Sequence, residues 1–86
     1  MQRRKQFEQM KNNPSNVDYD DLVALLIWLG YSVKEGNHPV FIHPDTTSRI
    51  ALAKPHGKGG RMTVKEIYVK EAISQIEQHP ELWERK

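Results

Sequence analysis

His38, His43 and His56 stand close together in the middle of the chain, and Lys54, Lys58 and Arg61 gather around the third of them with no carboxylate between. A water-exposed imidazole exchanges a proton within the cellular pH range, so each ring is a candidate acid or base. Three glycines in "KPHGKGG", at 54–60, free backbone N–H groups to turn toward an anion that the cations would hold. The chemistry on offer is proton transfer beside a bound anion. The run is not a Walker loop, which needs a Lys followed directly by Ser or Thr, and a plain solvated connector has the same composition.

His38 and His43 differ in setting. In "EGNHPVFIHP" His38 follows Gly36 and Asn37 at the mouth of a turn. A side chain there projects past the sheet and stays wet, as a plain surface ring or as a working one. His43 precedes Pro44 in "HPDTTS", a run of turn formers whose backbone it can bond. Strand alternation groups His38 with Val40 and Ile42 and sets Pro39, Phe41 and His43 on the opposite side, so the two rings do not converge. With no cysteine in the chain and no carboxylate at a ligand spacing, neither a metal nor another cofactor is expected.

The elements that must position these groups follow from hydrophobic spacing. Residues 3–11 read as a short helix with Phe7 and Met10 three apart, polar enough to need a surface beneath it. "NNPSNVD" at 12–18 ends it, because Pro14 disfavours helix at Asn13. A second helix is expected to begin between 18 and 20, where acidic side chains can cap free N–H groups and complement the helix dipole. It should stop at Gly30, a natural left-handed residue past a helix end. Leu22, Leu25, Leu26 and Leu29 form one stripe, and Val23, Ile27 and Trp28 carry apolarity round most of the girth. Such a helix is covered on more than one side, by the N-terminal segment, by the tail around Leu82 and Trp83, or by a partner.

Three short antiparallel strands are expected at 31–34, 39–43 and 49–53, separated by "EGN" and "HPDTTS". A last helix opens at "TVKE", where Thr63 as N-cap and Glu66 at N3 form a capping box. It carries Tyr68, Val69, Ala72, Ile73 and Ile76 on one stripe and is ended by Pro80. This order predicts an α+β fold, a two-layer sandwich with a three-stranded antiparallel sheet and two helices on one face (α-β-β-β-α), with an optional extra short N-terminal helix.

At 86 residues the chain supports one domain, because so short a chain buries only about 60–65% of its unfolded surface. Its core is expected at about 13–78, with 1–12 and 79–86 as extensions. The longest apolar run, "LVALLIWL", falls far short of the roughly 20 residues that span a bilayer, and the basic start lacks an apolar region behind it. No membrane is expected, and the cytoplasm is the default location. Net charge is only +2, so the total announces no polyanion, but "QRRK" at 2–5 and the run 54–61 could each face a phosphate backbone.

Taken in order, "NPSNVDYDDLVALLIWLGY", "GNHPVFIHPD" and "IALAKPHGKGGRMTVKEIYVKEAI" make the chain resemble the HicA-type toxins of bacterial and archaeal toxin-antitoxin pairs. These are small mRNA interferases with a double-stranded-RNA-binding-like fold. The resemblance runs over about 13–76, and it is the order and spacing of the pieces that carry it. In that family a helix ending in "LG" plus an aromatic leads into a strand, then a Gly-Ser-His turn, an apolar-aromatic pair and an "HP" turn. The histidine of that turn cleaves RNA, and its match here is His38. Asn37 stands where the family has serine, and Pro39 where it often has a second histidine or a polar residue.

The resemblance implies a metal-independent endoribonuclease acting on mRNA, with His38 as base or acid and Lys54, Lys58 and Arg61 on the phosphates. His56 is a candidate for the second proton transfer. Phe41 would stack an unpaired base if its face were open and would pack the core otherwise. The implied partner is a HicB-type antitoxin that covers the RNA-binding face. Two other readings remain at this level: a non-catalytic RNA-binding module of the same fold, and a protein-interaction domain using the broad apolar helix at 22–29.

Overall fold

The leucines of the second helix set the architecture. Leu22, Leu25 and Leu26 are buried on α2 (Tyr19–Trp28) and belong to a single apolar cluster. The computed structural model describes residues 3–53 and 62–84 of the chain. The other elements are α1 (Arg3–Asn12), β1 (Ser32–Lys34), β2 (Val40–Ile42), β3 (Arg49–Ala51), α3 (Glu66–Glu77) and the single turn α4 (Glu81–Glu84). The fold is α+β, with a three-stranded antiparallel sheet in the order β1-β2-β3.

Register divides the sheet into two faces. Val33, Phe41 and Ile50 lie side by side on the covered face, where Phe41 and Ile50 are fully buried. Side chains alternate along a strand, so the rows Ser32–Ile42–Arg49 and Lys34–Val40–Ala51 occupy the open face. The expected split between Pro39, Phe41 and His43 on one side and His38, Val40 and Ile42 on the other is what burial shows. Phe41 is thus a core residue and has no free ring face for a base.

The second side of α2 is closed from within the chain. Trp83 of α4 packs against Phe7 of α1 (centroids 5.4 Å apart) and Trp28 of α2 (6.1 Å), and Arg4 stacks on the Trp83 ring at 4.8 Å. Phe7, Met10 and Leu82 join the core cluster. Both expected covers therefore act together, and α1 finds the surface it needs against α3, with Lys11 and Glu77 paired at the rim. Ile27 and Trp28 keep 48% and 37% of their surface exposed, so the cover is narrower than the apolar girth.

Both helix starts depart from the expected side-chain caps. Asp18 is the N-cap of α2 but makes no side-chain capping bond. Instead the N–H of Tyr19 donates to the Met62 carbonyl (2.9 Å) and that of Val64 to Val17 (2.9 Å), around an antiparallel bridge between Asp18 and Thr63. The capping box at Thr63 and Glu66 is thereby overturned. Thr63, β-branched and extended, is spent on this bridge, and α3 begins at Glu66 after Lys65, which also makes no side-chain cap. Backbone pairing satisfies a donor of the first turn that a side chain was expected to satisfy. The strands are also a residue or two shorter than the apolar runs, although Leu52 still donates to the Pro39 carbonyl at 3.0 Å.

The end of α2 is as the sequence predicts. Gly30 has φ +105°, its N–H donates to Ile27 and that of Tyr31 to Leu26, both at 3.0 Å. This is a Schellman closure, with Tyr31 and Leu26 in the apolar contact that accompanies it. A Cβ at Gly30 would lie 2.9 Å from His43 Nε2. Gly30→Ala combines the left-handed cost, about 1–2 kcal/mol, with displacement of a buried ring, so urea unfolding should show a loss of at least about 2 kcal/mol.

Candidate functional site

The two histidines of "EGNHPVFIHP" sit at opposite ends of β2 and do different work. His43 is buried, with 4% of its surface exposed. The Asp45 N–H donates to its Nδ1 (3.1 Å), and Nε2 lies 3.0 Å from the Leu29 carbonyl. An acceptor at Nδ1 and a carbonyl opposite Nε2 together specify the neutral tautomer with its proton on Nε2. The expected bond to the turn backbone is present, and a second bond reaches the end of α2. This ring is a strut and has no access to substrate.

Beside it lies a polar chain that sequence reasoning missed. Ser48 Oγ donates to Gln75 Oε1 (3.1 Å), so the contact of 2.7 Å between Tyr31 and Ser48 must be donated by the phenol. The Tyr31 ring meets His43 edge-on at 5.2 Å. Burial raises the Tyr31 phenol above its ordinary value, and the Glu81 charge adds to it. Ser48 and Gln75 are 27 positions apart, and only the folded packing of β3 against α3 brings them together.

His38 is exposed, in the five-residue connection 35–39 between β1 and β2. Among the described residues no hydrogen-bond partner holds its ring. Extending the β2–β3 register past Val40↔Ala51 sets Pro39 beside Leu52 and His38 beside Ala53. Lys54, Lys58 and Arg61, together with His56, lie outside the described residues. Their flanks are fixed, however: Ala53 ends at the His38 position, and Met62 pairs with Tyr19. Burial raises the Tyr19 phenol, and the charges of Glu35 and Asp20 add to that shift. Connection 35–39, the start of α2 and both flanks of 54–61 therefore share one end of the sheet.

Lys34 and Arg49 are exposed on the open sheet face, Lys34 opposite Val40 near His38 and Arg49 opposite Ile42 at the far end, whereas Glu35 lies in the connection with His38 and Asp20 and Asp21 in the first turn of α2. These two cations were missed because they are scattered in sequence; alternation and register together would have found them. Gly36 has nothing within 4 Å of where a Cβ would stand, so the backbone beside His38 is open to close approach. Pro39, by contrast, is fully buried, so its ring supports the site from beneath and leaves the outer side to His38. Among the described residues there is no cluster of three metal-ligating side chains, and no helix is long and apolar enough to cross a membrane. Comparison with protein-family models, curated proteins and solved structures finds no match to the chain.

The raised Tyr31 and Tyr19 phenols carry a pH signature. An unfolded phenol ionises near pH 10, before these folded ones do, so their stabilisation is complete below about pH 10 and is lost as pH rises through the folded values. Urea unfolding followed across the alkaline range should show this fall. Tyr31→Phe should lose about 1 kcal/mol at neutral pH, through the missing hydrogen bond, and flatten the alkaline fall without abolishing it, since Tyr19 remains.

Proposed function

We propose that this protein is a metal-independent endoribonuclease of the HicA type, acting on mRNA in the cytoplasm. The observation that carries this reading is the exposed ring of His38 at the end of a sheet face bearing Lys34 and Arg49. Chain continuity makes Lys54 the next residue after its register neighbour Ala53. A polyanion is drawn to the cations of this face.

RNA brings its own nucleophile, so the chemistry asks little of the protein. An imidazole nitrogen of His38 takes the proton of a 2′-hydroxyl, and O2′ attacks the adjacent phosphorus. The bond from phosphorus to O5′ then breaks, and O5′ takes a proton from a second donor, for which His56 is the candidate. The products are a 2′,3′-cyclic phosphate and a free 5′-hydroxyl. Lys54, Lys58 and Arg61, with Lys34 and Arg49, are assigned to the phosphates, where cations offset the charge growing on the phosphorane. The matching inhibitor is a HicB-type antitoxin covering this end.

One observation favours a second reading, a non-catalytic RNA-binding module. Among the described residues no acid or base is bonded to His38, and an acid-base pair normally works with a second group in reach.

Purified protein and its His38→Ala variant, incubated with long unstructured RNA in EDTA, separate the two. The nuclease reading expects fragments ending in cyclic phosphate and a loss of about 10²–10⁴-fold in rate for the variant, with RNA binding retained. Salt-sensitive binding without cleavage in either protein would establish the module instead.

A further inference from the structure

The two edges of the sheet are not equivalent. Bonds from His43 N–H to Ser48 and from Leu52 N–H to Pro39 fix the ladder between β2 and β3. In an antiparallel pair the bonded positions alternate, so Ile50 spends both its backbone groups on Phe41. The N–H and C=O of Arg49 and of Ala51 therefore point away from the sheet, and among the described residues nothing pairs with them. On β1 the same alternation turns only Val33 outward, because Ser32 and Lys34 bond Ile42 and Val40. The β3 edge offers two donors and two acceptors where the β1 edge offers one of each.

Beside that richer edge runs a shallow groove of about 400 Å³ between β3 and α3, lined by Arg49, Ala51, Ile67, Tyr68 and Glu71. Ile67 keeps 72% of its surface exposed, more than any other large apolar side chain among the described residues. Glu71 lies one helical turn further on the same stripe of α3. Unpaired strand edges and exposed apolar side chains next to them are features that proteins normally cover.

We infer that a second copy of this chain docks here, β3 against β3 in antiparallel sense about a two-fold axis at Ile50, fusing two sheets into one of six strands. The register is self-complementary. With the axis at Ile50, Arg49 faces Ala51 of the partner subunit and both outward pairs close their hydrogen bonds, so all four groups on each edge are satisfied. Arg49 does not oppose its own counterpart. The two α3 helices come side by side on the covered face with their Ile67 stripes together. The groove carries one cation and one carboxylate, a lining that an identical copy matches in charge. This is an isologous contact, which closes at the dimer and does not propagate. It leaves His38 uncovered and takes from the open sheet face only its flank at Arg49 and Ala51.

Sedimentation velocity from micromolar to millimolar concentration reads the contact as a doubling of mass. Ala51→Pro deletes an outward N–H while sparing every bond to β2, and Ile67→Glu places a charge on the exposed stripe without touching the core. The wild type should dimerise as concentration rises, with amide exchange slowed at Arg49 and Ala51. Both variants, folded by circular dichroism, should stay monomeric over the same range. A wild type that remains monomeric at millimolar concentration overturns the inference. So does a dimer that survives both substitutions, which would place the contact elsewhere.

Discussion

The hydrogen bond between His43 Nε2 and the Leu29 carbonyl ties the last turn of α2 to the turn after β2, and the rest of this end of the molecule is arranged to permit it. Gly30 must adopt a left-handed backbone to close the helix and must lack a Cβ to admit the ring. The Asp45 N–H must donate to Nδ1 so that Nε2 keeps its proton. Tyr31, immediately after the glycine, then lies edge-on to the imidazole and passes its own hydrogen bond to Ser48 and on to Gln75. One neutral ring thus connects α2, two strands and α3 without a buried charge, whose desolvation would cost far more than the hydrogen bonds return.

The opposite end of β2 is built the other way. Pro39 is buried and its carbonyl is taken by Leu52, so the backbone under His38 is fixed. The ring above it is exposed. A held backbone with an exposed ring suits a residue that must meet something from solvent, just as an enclosed ring suits a strut. The histidines that opened the sequence reading are alike in type and separated in role by which face of the strand they occupy.

Much of this was legible from residue types. The left-handed Gly30 follows from glycine after a leucine stripe, and the face assignment of "HPVFIH" follows from a period of two. Local chemistry misled at Thr63, because a capping box and an extended β-branched residue look alike until Val17 and Val64 are known to pair. The α4 turn, the Tyr31–Ser48–Gln75 chain and the cations Lys34 and Arg49 share another difficulty. Each depends on contacts between distant positions, which periodicity within one element does not encode. The resemblance to HicA toxins pointed to His38, and the fold contributes the exposure of its ring and its place beside Ala53.

The bridge between Asp18 and Thr63 has a further consequence. Together with Ala53 at the sheet end, it clamps both flanks of the eight positions 54–61 onto parts of the fold that hold themselves together. The same bridge sets the residues that precede α2 and α3 side by side, so the two helix starts are not independent: a substitution that shifts Asp18 or Val17 is felt at Thr63 and Val64, and the reverse.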